Sequence, residues 1–208
     1  MIENFDRLHG LPEGFFDITT ANIRSLFPNP TLVQLDVEDR NFLFVSILLH
    51  GNEYSSLRVT QEVLARYTES LPRSILMFVG NVRAAEANLR HLPDQCDYNR
   101  CWPGTLMESI PITQMMRRII EIAHGLPLFA AIDIPNNTGK NPHYACITDP
   151  NKRNQNLASR FNRIPWCISK RACAPLPSTR FVRRRRSNAG YPAIRPASST
   201  PAAWSRSC

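Results

Sequence analysis

Apolar and polar positions alternate along Thr31 to Val37 (TLVQLDV), the pattern of a strand with one buried face. Phe42 to Leu49 (FLFVSILL) is nearly all apolar, as expected of a strand covered on both faces. After the Gly51-Asn52 break, Tyr54 to Ser70 places Leu57, Val63, Leu64 and Tyr67 at roughly helical spacing, and Pro72 closes the segment. Ser74 to Val79 (SILMFV) reads as the next strand. Ile112 to His124 has helical periodicity with Gly125 as its stop, and Leu128 to Ile134 (LFAAIDI) is a further apolar strand.

This order of strand, helix and strand predicts an α/β fold with a mainly parallel or mixed central sheet flanked by helices. In such sheets the functional loops gather at the carboxyl ends of strands. Three polar segments fall there: His50 to Glu53, Asn81 to Gly104, and Asp133 to Tyr144. No internal repeat is visible.

The charge distribution divides the chain. Residues 1–149 hold 12 Lys+Arg and 17 Asp+Glu, whereas residues 150–208 hold 13 Lys+Arg and no acid. Residues 164–208 contain six Pro, seven Ser, seven Ala and the run Arg183 to Arg186, without sustained apolar periodicity. The reading is a folded domain over 1–163 and a basic tail over 164–208 that is expected to stay disordered. A four-arginine run can contact phosphates, but specific nucleic-acid binding is not the expected role, because a cationic tail attracts any polyanion. The longest apolar stretch is too short for a membrane span, and residues 1–10 show no signal-peptide pattern. The chain is therefore expected to be cytoplasmic and to use no membrane partner. Its six cysteines form no CxxC pair and are expected to be reduced thiols.

Three segments carry candidate chemistry. His50-Gly51-Asn52-Glu53 sets a histidine and a carboxylate three residues apart in a turn leaving a buried strand, where both can reach one ion. Taken alone, the same four residues also suit a solvated turn. Asn81 to Gly104 supplies Arg90 and Arg100, whose guanidinium forks match the two oxygens of a carboxylate, although surface arginines look the same in sequence. Asp133 to Gly139 (DIPNNTG) is turn chemistry.

Taken in order, HGNE, a Gly-Asn segment leading to an arginine and to DxNRxxPG, and a strand ending in Asp followed by NNTGxNPHY resemble the succinylglutamate desuccinylase/aspartoacylase family of zinc carboxypeptidase-like enzymes. The resemblance covers roughly residues 40–163. It implies a zinc-dependent amidohydrolase acting on N-acyl amino acids or peptides with a free carboxylate. It also implies one Zn2+ held by His50 and Glu53, and substrate contacts from Asn99, Arg100 and Arg90. The alternative is a homologue that binds carboxylates without catalysis.

Two positions depart from the family pattern. The third zinc ligand, a histidine two residues after the aspartate, is replaced by Pro135, which has no lone pair to offer. His143, eight residues further on, is the only nearby substitute. The family's catalytic glutamate lies near the end of its domain, yet this chain has no Glu after Glu121 and no Asp after Asp149, so the catalytic residue is unassigned. A reading-frame shift near Phe161 to Pro165 would account for both the missing acid and the basic tail. The metal site is thus expected to be degraded and the fold incomplete at its C-terminal end.

Overall fold

The computed structural model describes residues 5–67, 70–104, 109–137, 144–147, 151–161, 165–167 and 179–184. Its centre is built from β2 (Thr31–Leu35), β3 (Phe42–Ile47), β4 (Ile75–Val79) and β5 (Leu128–Asp133). A short β1 (Asp6–His9) pairs parallel to β2 on the outside. β2 and β4 run antiparallel, whereas β4, β3 and β5 run parallel. The sheet is mixed, as expected.

Period-two alternation sorts these strands onto two faces. Leu32, Phe42, Phe44, Leu76 and Phe78 point to one side and pack with Trp102 and the apolar face of α3 (Pro111–His124). Within α3, Ile112, Met115, Met116, Ile119, Ile120 and Ala123 recur at helical spacing, and all are buried. Pro111 starts the helix at a position whose N–H has no intrahelical acceptor, so the ring costs nothing there. Val33, Leu35, Val45, Ile47, Met77 and Val79 face the other side. There they meet Leu57 and Leu64 of α1 (Tyr54–Ala65), the start of α2 (Val82–Glu86), and Phe15, Ile23 and Phe27. The domain is therefore a sheet between two apolar layers.

The chain continues through β6 (Asn136–Asn137), β7 (Tyr144–Ile147), α4 (Lys152–Phe161), β8 (Pro165–Cys167) and β9 (Thr179–Arg184). The strand order is β1-β2-β4-β3-β5-β9-β7-β8, with β6 beside β9. β8 and β9 fall in the segment for which the sequence showed no periodic element. The rest of 164–208 lies outside the described residues. Among the described residues no helix is long and apolar enough to cross a membrane.

The α1 face of the sheet holds an apolar cleft of about 500 Å³ among Val45, Met77, Ile132, Val63 and Phe161. It contains none of the charged residues singled out in the sequence. Those sit instead at the carboxyl ends of β3, β4 and β5.

Candidate active site

β3 ends at Ile47, and Leu48 then takes a left-handed backbone conformation, with φ of 54°, that turns the chain out of the sheet. Gly51 follows at a point where the turn presses against the first turns of α2. A Cβ placed on Gly51 would lie 2.1 Å from the Ala84 carbonyl carbon and 2.2 Å from the Ala85 nitrogen, so only glycine fits. Gly80 is similarly close, since its Cβ would stand 2.9 Å from the Leu48 carbonyl oxygen. The glycines of HGNE and of the Gly-Asn segment thus allow the two loops to pack on each other. Asn81 caps α2 by accepting a hydrogen bond from the Ala84 N–H (3.1 Å) and donates to the Gln95 side chain (2.9 Å), which draws the loop of residues 92–97 toward the end of β3.

His50 and Glu53 meet inside this junction, each about 3% exposed. His50 Nδ1 lies 2.6 Å from Glu53 Oε1, and the His50 backbone N–H donates to Glu53 Oε2 (3.2 Å). The other ring nitrogen, Nε2, lies 2.9 Å from Asp97 Oδ1. The same Asp97 oxygen accepts from the Asn99 N–H (2.9 Å), capping a single 3-10 turn over Tyr98–Arg100, while Oδ2 accepts from Arg90 Nη2 (2.9 Å). The Arg100 Nε stands 3.8 Å from Oδ2. A line of alternating charge therefore runs from buried Glu53 through His50 and Asp97 to two arginines whose side chains are half or more exposed.

Electrostatics follow from that line. Burial alone would push the His50 imidazole down, but hydrogen bonds to Asp97 and Glu53, together with their charges, raise its pKa to about 9. Burial acts to raise the Asp97 carboxyl, yet the bonds to His50 and Arg90 hold it well below the usual carboxylate range. Burial pushes the Glu53 carboxyl up, with the charge of Asp133 adding to the effect and His50 opposing it. Asp133 itself is buried at the end of β5 and accepts from the Ser46 hydroxyl (2.9 Å), its register partner on β3.

The sequence-derived residues are thus gathered unequally. His50 and Glu53 converge. Arg90 and Arg100 both approach Asp97, and Asn99 is buried with its side-chain carbonyl unpartnered among the described residues. Asp97 had not been singled out, although it joins the two groups; its place in DxNR was the available signal. Pro135 is buried just beyond β5, where the next residue, Asn136, is bonded to Ser55 at the start of α1 and to the Asn52 carbonyl (3.4 Å). His143 lies outside the described residues.

Zinc fits this geometry in part. A histidine whose far nitrogen is held by a carboxylate, beside a buried glutamate, is the donor arrangement of a metal ligand pair. Catalytic zinc takes three protein ligands, however, and Pro135, at the position where the family resemblance implies the third, has no lone pair to offer. Among the described residues no group of three or more His, Cys, Asp or Glu side chains could hold a metal ion. The described residues do not complete a catalytic zinc site.

No protein-family model and no curated protein sequence matches the chain. Solved structures do. The succinylglutamate desuccinylase from Chromobacterium violaceum superposes with a TM-score of 0.54 at 16% identity, covering 69% of this chain and 52% of that one. A metallo-carboxypeptidase from Burkholderia cenocepacia gives 0.57 at 10% identity, covering 76% and 53%. A succinylglutamate desuccinylase/aspartoacylase from Rhodobacter sphaeroides gives 0.53 at 16%, covering 73% and 50%. The chain spans about half the length of these proteins. With its mixed sheet, its flanking helices and its polar loops at the ends of β3, β4 and β5, the chain has the carboxypeptidase-like fold that succinylglutamate desuccinylases and metallo-carboxypeptidases share.

Proposed function

We propose that this chain is a relative of the zinc-dependent amide hydrolases of the succinylglutamate desuccinylase/aspartoacylase family that binds N-acyl amino acids or peptide carboxylates with little or no turnover. The observation that carries this reading is the contrast between the two ends of the Glu53–His50–Asp97 line. Its outer end keeps two arginines, and the Arg100 side chain is 67% exposed, leaving its fork accessible to a substrate carboxylate. Its inner end has two of three metal ligands. His50 lies with each ring nitrogen against a carboxylate, so a metal reaching Nδ1 competes with a proton there.

Hydrolysis also needs a base to take a proton from the attacking water, and residues 150–208 hold no acid that could supply one. In the reading proposed here Arg100 binds, Arg90 and Asp97 hold the loop, and catalysis is absent. The expected setting is the cytoplasm, with a small carboxylate as the partner.

A second reading, an active zinc amidohydrolase, is favoured by the way Asp97 orients His50 as it would a zinc ligand. Calorimetry with N-acetyl-L-aspartate and N-succinyl-L-glutamate, beside a hydrolysis assay with added zinc, separates the two. Carboxylate binding that disappears in Arg100→Ala, without turnover, supports the first. Zinc-dependent turnover that disappears in the same variant establishes the second and excludes the first.

A further inference from the structure

Cys96 and Cys101 bracket the turn that carries Asp97, Asn99 and Arg100. One 3-10 turn over Tyr98–Arg100 folds the chain back, so residues five apart meet. Their sulfur atoms stand 2.7 Å apart. That is within about 0.7 Å of the ~2.05 Å disulfide bond length. Cys101 is buried and its thiol donates to the Asp97 carbonyl (3.2 Å), whereas Cys96 is partly exposed. Backbone bonds hold the approach from inside, Arg100 N–H to Asp97 (2.9 Å) and Cys101 N–H to Tyr98 (3.1 Å). A partly exposed cysteine thus sits against a buried one that can resolve it.

We propose that Cys96 and Cys101 form a reversible intrachain disulfide that closes the turn bearing Asp97 and Arg100, with a low-molecular-weight disulfide as the oxidant. The Cys96 thiolate attacks one sulfur of oxidised glutathione. A Cys96–glutathione bond forms, the glutathione disulfide breaks, and one glutathione thiolate leaves. The Cys101 thiolate then attacks the Cys96 sulfur and expels the second glutathione thiolate. The two protons lost by the cysteines end on the two glutathione thiols, and two electrons pass from the protein to the oxidant. The disulfide ties both ends of a six-residue loop, which restrains Asp97 beside His50 without entering the site.

The sequence supplies a direct readout, because trypsin cuts after Arg90, Arg100 and Arg117 and so separates the two cysteines. The full chain is equilibrated in glutathione buffers from fully reduced to fully oxidised, quenched with an alkylating reagent, digested and weighed. The expected product is peptide 91–100 joined to peptide 101–117, appearing as the oxidised fraction rises and lost again on return to reduced glutathione. Amide exchange over residues 98–101 should slow in the oxidised protein, and Cys96→Ser should remove both effects while circular dichroism shows the fold retained. Both peptides fully alkylated in oxidised buffer, with the fold intact, would overturn the proposal. So would a linked peptide that forms only in denaturant, or one that joins either cysteine to Cys146 instead.

Discussion

His50 Nε2 and Asp97 Oδ1 lie 2.9 Å apart although 47 residues separate them in the chain. That contact joins the turn after β3 to the loop after α2, and the stability of the junction rests on it. Replacing Asp97 by Asn keeps the shape but removes the charge that supports a protonated His50. The expected loss is about 3 kcal/mol, the cost of breaking a buried charged hydrogen bond. Arg90→Ala, which removes a half-exposed partner of the same carboxylate, should cost less than about 1 kcal/mol. Urea unfolding of the two variants measures the difference, and equal losses would mean that Asp97 acts through Arg90 instead.

Stability of the metal-free protein should fall on the alkaline side. His50 binds its proton more tightly folded, at about 9, than unfolded, near 6.5. Its contribution is therefore complete below about pH 6.5 and is lost as pH rises through 9. Glu53, raised by burial, acts in the same direction. Asp97, held low, contributes fully above the ordinary carboxylate range and loses that contribution in acid. The advantage of the native chain over His50→Gln should shrink by about 3 kcal/mol between pH 6.5 and 9.5. A constant or growing difference in denaturant titrations would show His50 to be neutral in the folded state.

Gly51 should tolerate no side chain. Adding a methyl group brings it to 2.1 Å from the backbone of Ala84, and backbone cannot rotate away as a side chain would. Gly51→Ala is expected to cost about 3 kcal/mol or more, toward the upper end of overpacking. Gly104, where a Cβ would meet nothing within 4 Å among the described residues, is the comparison; there the cost comes from its positive φ of 90°. Thermal melts rank the two, and the reverse order would place the tight contact elsewhere.

Pro135→His should raise zinc affinity without restoring hydrolysis. Position 135 is buried beyond β5, and an imidazole there supplies the donor that the family resemblance implies at that position. Residues 150–208 hold no acid to act as base, and such assistance is worth roughly 100- to 10,000-fold. Metal content after dialysis and hydrolysis of N-acetyl amino acids are the measurements. Tight stoichiometric zinc in the native chain would show that a third ligand exists outside the described residues.

The legible parts of the fold were those with a strong apolar period. α3 begins and ends within a residue of its expected bounds because its six buried side chains recur without interruption. α2 was hidden because five residues do not complete two turns, and α4 because KRNQNLASRF buries only Asn154 and Ala158. β8 and β9 had no alternating pattern to announce them. At the site, the pairing of His50 with Glu53 could be read locally, three residues apart in one turn. The role of Asp97 could not, since its partner is set by how two loops pack.

Which residues face which apolar layer follows from the chain alone, because side-chain direction is set by the two-residue period of a strand and the 3.6-residue period of a helix. So does the chemistry on offer: one histidine and one glutamate in HGNE, a proline at 135, and no late carboxylate. That Gly51 lies on Ala84, that Asp97 reaches His50 rather than solvent, and that Cys96 meets Cys101 is set by the three-dimensional packing. Those contacts depend on where loops close and on what they pack against, and no periodicity in the chain records the path between strands.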